Sequence, residues 1–182
     1  MNKETLIKEM FGTGLIGVVD EGKRFDIDFQ NIATNYTVMR AFVDDFTHAY
    51  NFIQDLHDDE IGIIAHMPYV DGLAAVITQE LKMNVATFNE RGNKTTNLKP
   101  NSKYVFMAHC ISRGNTLKQA EFRLGEQNSH IIHAMCMFDR QLLDPTIKAL
   151  GIPMYSTFTW SDLKKYHERF ASQRFTSRPG SV

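Results

Sequence analysis

The 182-residue chain reads as an α/β fold, with a central, mostly parallel sheet flanked by helices on both faces. Three observations predict it. The apolar runs EIGIIAH (60–66), YVFMA (104–108) and HIIHAMCMF (130–138) are near-continuous rather than alternating, as strands buried on both faces require. Stretches with apolar residues three and four apart separate these runs. The two kinds of segment alternate along the chain, the pattern of parallel strands joined by crossover helices.

Taken in order, MNKETLIKEMFG is an amphipathic start. Met39, Phe42, Val43, Phe46, Tyr50 and Ile53 then repeat at helical spacing, which predicts a long helix over Asn35–Leu56. Glu60–His66 is a short strand, and Leu73–Leu81 is a helix opening just after Gly72. Asn84–Phe88 and Tyr104–Ala108 are strands, Thr116–Gln127 is a helix, and His130–Phe138 is a strand. Pro145 and Gly151 bracket a short helix over Thr146–Leu150. Met154–Phe158 is the last strand, and Ser161 caps a helix over Asp162–Phe170. Thr176–Val182 contains Pro, Gly and Ser and reads as a loose tail. Residues 1–175 are expected to form a single domain and 176–182 a flexible tail; no internal repeat or low-complexity tract divides the chain.

Composition narrows the function classes. The formal net charge is −1, and no Lys/Arg run offers a surface for nucleic acid or membrane. No apolar segment approaches the roughly 20 residues that span a bilayer, and the N-terminus lacks the apolar stretch of a signal peptide. The two cysteines, Cys110 and Cys136, fall on or beside separate strands. They read as buried free thiols in a reducing compartment, so a cytoplasmic location is expected.

In a parallel sheet, ligands bind beyond the carboxyl ends of the strands. That directs attention to the loops after His66, Phe88 and His109. The last is the most informative. The apolar run Tyr104–Ala108 leads into Ser112-Arg113-Gly114-Asn115-Thr116, and helical spacing follows from Leu117. Such a loop at a helix N-terminus presents backbone N–H groups and hydroxyls to an anion. Gly114 allows close approach of the backbone, and Arg113 can grip a phosphate with two N–H groups.

This stretch resembles the phosphoribosyl pyrophosphate (PRPP) motif of the type I phosphoribosyltransferases, which is a hydrophobic strand, two acids and a Thr/Ser-x-Gly-x-Thr-like loop. The resemblance extends over roughly residues 22–170 and is closest to orotate phosphoribosyltransferase. Glu21-Gly22-Lys23-Arg24 is similar to the turn that leads into the segment lining the base pocket. Phe88 to Lys94 is similar to the start of the mobile catalytic loop. Phe138-Asp139-Arg140-Gln141 is similar to a segment whose Arg contacts the base. Thr157 to Tyr166 is similar to the closing strand and helix. The resemblance implies a homodimer, with each mobile loop covering the neighbour's site. It also implies a PRPP-like or nucleoside monophosphate ligand held by Ser112, Arg113, Gly114, Asn115 and Thr116, with Arg140 toward the base.

The departures from that pattern fall where its chemistry is done. Ala108 and His109 stand in place of the two acids. In the pyrophosphate loop Tyr69 and Gly72 are kept, but Asp71 replaces a lysine. In the mobile loop Glu90 replaces an arginine, Arg91 replaces a lysine, and Lys94 keeps the position of the catalytic lysine. A carboxylate beside a polyanion is repulsive, most of all in a site of low dielectric. The expectation is therefore a catalytically degenerate protein that binds a nucleotide or phosphorylated sugar in a regulatory or partner role and requires no cofactor. The alternative is an active transferase joining PRPP to a pyrimidine-like base, with Lys94 catalytic and magnesium required. Simpler structural roles stand beside these: an ordinary strand-to-helix turn for Ser112–Thr116, a salt bridge to Asp139 or Asp144 for Arg140, a solvated side chain for Lys94. His66 and His109, both at strand ends, could meet there; with Asp71 or Cys110 they would offer mixed metal ligands, although the close ligand spacing of a metal site is missing.

Overall fold

The computed structural model describes residues 1–19, 24–67, 70–89 and 94–176. An amphipathic helix α1 (Lys3–Gly12) is capped by Asn2, whose side chain accepts from the Thr5 amide. An antiparallel hairpin follows, β1 (Ile16–Val19) with β2 (Arg24–Ile27). Next come α2 (Phe29–Thr34), capped by Asp28, and the 20-residue α3 (Tyr36–Asp55), capped by Asn35. The rest is a run of strands and helices: β3 (Ile61–Met67), α4 (Asp71–Leu81), β4 (Val85–Asn89), β5 (Lys94–Thr96), β6 (Lys103–Ile111), α5 (Asn115–Gly125), β7 (His130–Asp139), α6 (Pro145–Lys148), β8 (Met154–Thr159) and α7 (Trp160–Thr176).

The main sheet has six strands in the order β5-β4-β3-β6-β7-β8. All pairs are parallel except β4 with β5. The strands explain their own composition. Ile61, Ile63 and Ala65 of β3 face a core built with α1 to α4 and Leu163 of α7, whereas Ile64 faces a second core built with α5. Both faces are covered, so the apolar run is continuous. Gly62 has a specific reason to be glycine. A Cβ there would stand 2.5 Å from Cε1 of Tyr104, its partner across β3 and β6. The Tyr104 hydroxyl in turn accepts from the Lys99 amide at 2.7 Å.

Several boundaries differ from the sequence expectation, each for a physical reason. β6 runs on from Ala108 to Ile111, because its ladder with β7 continues through Cys110 and Ile111. α7 starts before Asp162. Thr159 and Asp162 cap it reciprocally: the Asp162 carboxylate accepts from the Thr159 amide at 2.8 Å, and the Asp162 amide donates to the Thr159 hydroxyl at 3.2 Å. Ser161 is not the cap; its hydroxyl donates to Gln141 at 2.6 Å. Thr176, assigned to the tail, ends α7, and 177–182 lie outside the described residues. The hairpin, α2 and β5 had no counterpart in the sequence expectation. Among the described residues, no helix is long and apolar enough to cross a membrane.

From β3 the chain crosses to β4 on one side and returns to β6 on the other. The carboxyl ends of β3 and β6 therefore flank the switch point of the sheet, where such folds open a crevice.

Candidate functional site at the strand ends

A cleft of about 390 Å³ opens at this point. It is lined by His66 from β3, by residues 106 and 109–111 of β6, and by the run Ser112 to Leu117. Gly114 takes φ 85°, the left-handed region that glycine enters without a Cβ penalty. It forms the N-cap of α5 and no side chain caps the helix there, so the helix N-terminus opens on the cleft. The loop is braced from behind: the Arg140 amide donates to the Ile111 carbonyl at 2.9 Å and the Asp144 amide to the Arg113 carbonyl at 3.2 Å. Ser112 and Thr116 are half-buried in the wall, and Arg113 is exposed at the rim.

Three rings, His66, Phe106 and His109, complete the lining. The His66 and His109 rings stack with centroids 5.9 Å apart, and Phe29 of α2 meets His109 edge-on at 4.4 Å. His66 also stacks on Phe106 at 6.2 Å. Burial, and secondarily the nearby His66, push the His109 imidazole down to about 4, so it is uncharged at neutral pH. Burial pushes the Cys110 thiol up to about 11 despite the Arg140 charge. It therefore stays protonated and is no nucleophile. Ala108 is buried and contributes only a methyl group.

The sequence candidates divide into three groups. Ser112, Arg113, Gly114, Asn115 and Thr116 come together in the cleft with His109. Arg140 lies at the end of the neighbouring strand, but its guanidinium sits over the Trp160 ring, 5.1 Å from the centroid. That segment is held in place by Gln141, whose amide donates to Asp139 at 2.7 Å and whose side chain accepts from Ser161. Asp71 and Gly72 begin α4, where Gly72 packs near Ala33 and Met39. Lys94 opens β5, three strand positions from β6 and roughly 14 Å away at the usual strand spacing. Tyr69, Glu90, Arg91 and the turn at 21–23 lie outside the described residues. His66 and His109 do meet, but among the described residues no set of three His, Cys, Asp or Glu side chains gathers for a metal. Sequence reasoning missed Phe29 and Trp160. The position of Phe29 shortly after the turn at 21–24, which resembles the entry to the family's base pocket, was the available signal for the first; nothing local marked the second.

The arrangement can hold an anion with a helix N-terminus, two hydroxyls and one guanidinium. Among its described lining residues it offers no carboxylate. No protein-family model and no curated protein matches the sequence. Solved structures do match the fold. The UMP synthase of Leishmania donovani superposes with a TM-score of 0.71 at 16% identity, over 94% of this chain and 39% of that one. The orotate phosphoribosyltransferase of Aeropyrum pernix gives 0.71 at 16% identity, over 92% and 98%. That of Mycobacterium tuberculosis in complex with PRPP gives 0.64 at 14% identity, over 88% and 98%. The chain has the type I phosphoribosyltransferase fold.

Proposed function

We propose that this chain, built on the phosphoribosyltransferase fold, binds a nucleoside monophosphate or phosphorylated sugar and acts as a regulator or partner rather than as a transferase. One observation carries this reading: the phosphate-type loop opens on the switch-point cleft, while the strand that feeds it carries a buried methyl at Ala108 and an uncharged imidazole at His109 in place of carboxylates. Fold alone does not confer activity. Transfer from PRPP develops positive charge on the ribose, and that charge needs preorganised negative groups. Ala108 and His109 supply none.

In this reading Ser112–Thr116 take the phosphate and the His109 ring, backed by Phe29, flanks the sugar end. Arg140, steadied on Trp160, lies toward the base. Titration with uridine and orotidine monophosphates, paired with an assay for PRPP-dependent transfer to orotate, tests the proposal. Monophosphate binding without turnover is the expected result. Turnover in the ordinary enzyme range, on the order of 1–1000 per second, would overturn it.

A further inference from the structure

Phosphoryl and diphosphate ligands commonly enter protein sites with a divalent cation that carboxylates help to hold. The fold raises that expectation here, and the donor set of the cleft does not meet it. Magnesium takes hard oxygen ligands in near-octahedral geometry. The cleft's titratable side chains, among the described residues, are two imidazoles, a thiol and a guanidinium: His66, His109, Cys110 and Arg113. Imidazole and thiol suit softer metals. The thiol keeps its proton, and the guanidinium repels a cation.

We propose that this site takes its phosphate ligand without a divalent cation, and that His109 is the residue that sets this preference. The inference rests on the phosphate-binding reading above and specifies its ligand as a metal-free phosphate monoester. His109 lies on the strand that feeds the Ser112–Thr116 loop, in T-shaped contact with Phe29 at 4.4 Å and stacked with His66 at 5.9 Å. An uncharged ring there offers magnesium no hard oxygen and no charge, and it does not repel a phosphate dianion. A carboxylate at the same position would attract magnesium and repel the dianion. The helix N-terminus and Arg113 then neutralise the ligand's charge, the task a cation would otherwise share.

Calorimetric titration of the full chain with uridine monophosphate, in excess magnesium and in EDTA, tests this. Wild-type dissociation constants are expected to agree within about twofold between the two conditions, well below the tenfold that 1.4 kcal/mol represents. His109→Asn, which adds no charge, keeps that ratio near one whatever its absolute affinity. His109→Asp is expected to lose metal-free affinity by about tenfold or more and to recover part of it with magnesium. Wild-type binding that tightens tenfold or more with magnesium overturns this inference alone, as does a folded His109→Asp protein that binds in EDTA like the wild type. If His109→Asp does not fold, the wild-type and His109→Asn ratios decide. Absence of binding in both conditions overturns the phosphate-site reading itself and this inference with it.

Discussion

Acid should reveal His109 as a source of instability, and the size of the effect follows from its surroundings. Its imidazole is held down to about 4 by burial and by His66, against an ordinary value of 6.5. Above pH 6.5 the ring is neutral in both folded and unfolded chains and exerts no pull. As pH falls from 6.5 toward 4, the unfolded chain takes up a proton that the folded chain refuses, and stability is lost throughout that window. The full loss is about 3 kcal/mol at 1.36 kcal/mol per pH unit, a large share of the roughly 5–15 kcal/mol that holds a domain together. Urea unfolding of the wild type and of His109→Gln at pH 7 and pH 4.5 isolates it, because all other titrating groups are common to both proteins. The variant should lose about 2–3 kcal/mol less than the wild type on acidification, equivalent to roughly 5–10 °C in relative Tm for a chain of this size. Parallel losses, equal to within about 0.5 kcal/mol, would refute the claim that the ring is buried in its neutral form.

Arg113→Ala should weaken uridine monophosphate binding by about 1–3 kcal/mol and flatten its salt dependence, whereas Arg140→Ala should blur discrimination between bases and leave inorganic phosphate binding unchanged; calorimetry reads both. Gly62→Ala should destabilise the fold by about 1–3 kcal/mol in urea, since its Cβ would stand 2.5 Å from the buried Tyr104 ring and force the two strands to shift. Asp45→Ala should cost about 1–3 kcal/mol, because the Tyr155 and Thr157 hydroxyls both donate to that carboxylate at 2.6 Å; thermal melting of Tyr155→Phe beside it shows how much one bond contributes. The protein is expected to be a symmetric dimer, and light scattering that finds a monomer at high micromolar concentration would exclude it.

Much of the scaffold was legible because it rests on local, repeated signals. The long apolar stripe of α3 placed that helix to within a residue at each end, and the near-continuous apolar runs located β3, β6 and β7. Where a polar residue is buried by its neighbours rather than by its own nature, the signal failed: His109 stopped the expected strand short, yet the ladder with β7 carries on past it. The hairpin and α2 are too short to declare themselves and are held by tertiary contacts. Phe25, for example, meets Phe11 at 6.0 Å and Trp160 at 5.2 Å. The same division runs through the site. The strand-loop-helix at Ser112–Thr116 is contiguous and could be read directly. The ring cluster of Phe29, His66 and His109 joins three distant segments, and no local pattern announces a contact of that kind. Arg140 was identified, but the aromatic face that fixes it comes from α7.

The approach of Phe29 to His109 ties the N-terminal third of the chain to the mouth of a sheet it does not help to build. The six strands and their crossovers all follow α3, whereas Phe29 and the hairpin precede it. That stretch does two things at once: Phe25 and Ile32 are buried in the core, while Phe29 reaches the His109 ring. Substitutions at those two buried positions would cost stability, whereas a change at Phe29 acts first on the His109 ring and leaves the strand ladder in place. A library confined to Phe29 and its exposed neighbours, with Phe25 and Ile32 held fixed, would be the economical place to look for altered ligand preference.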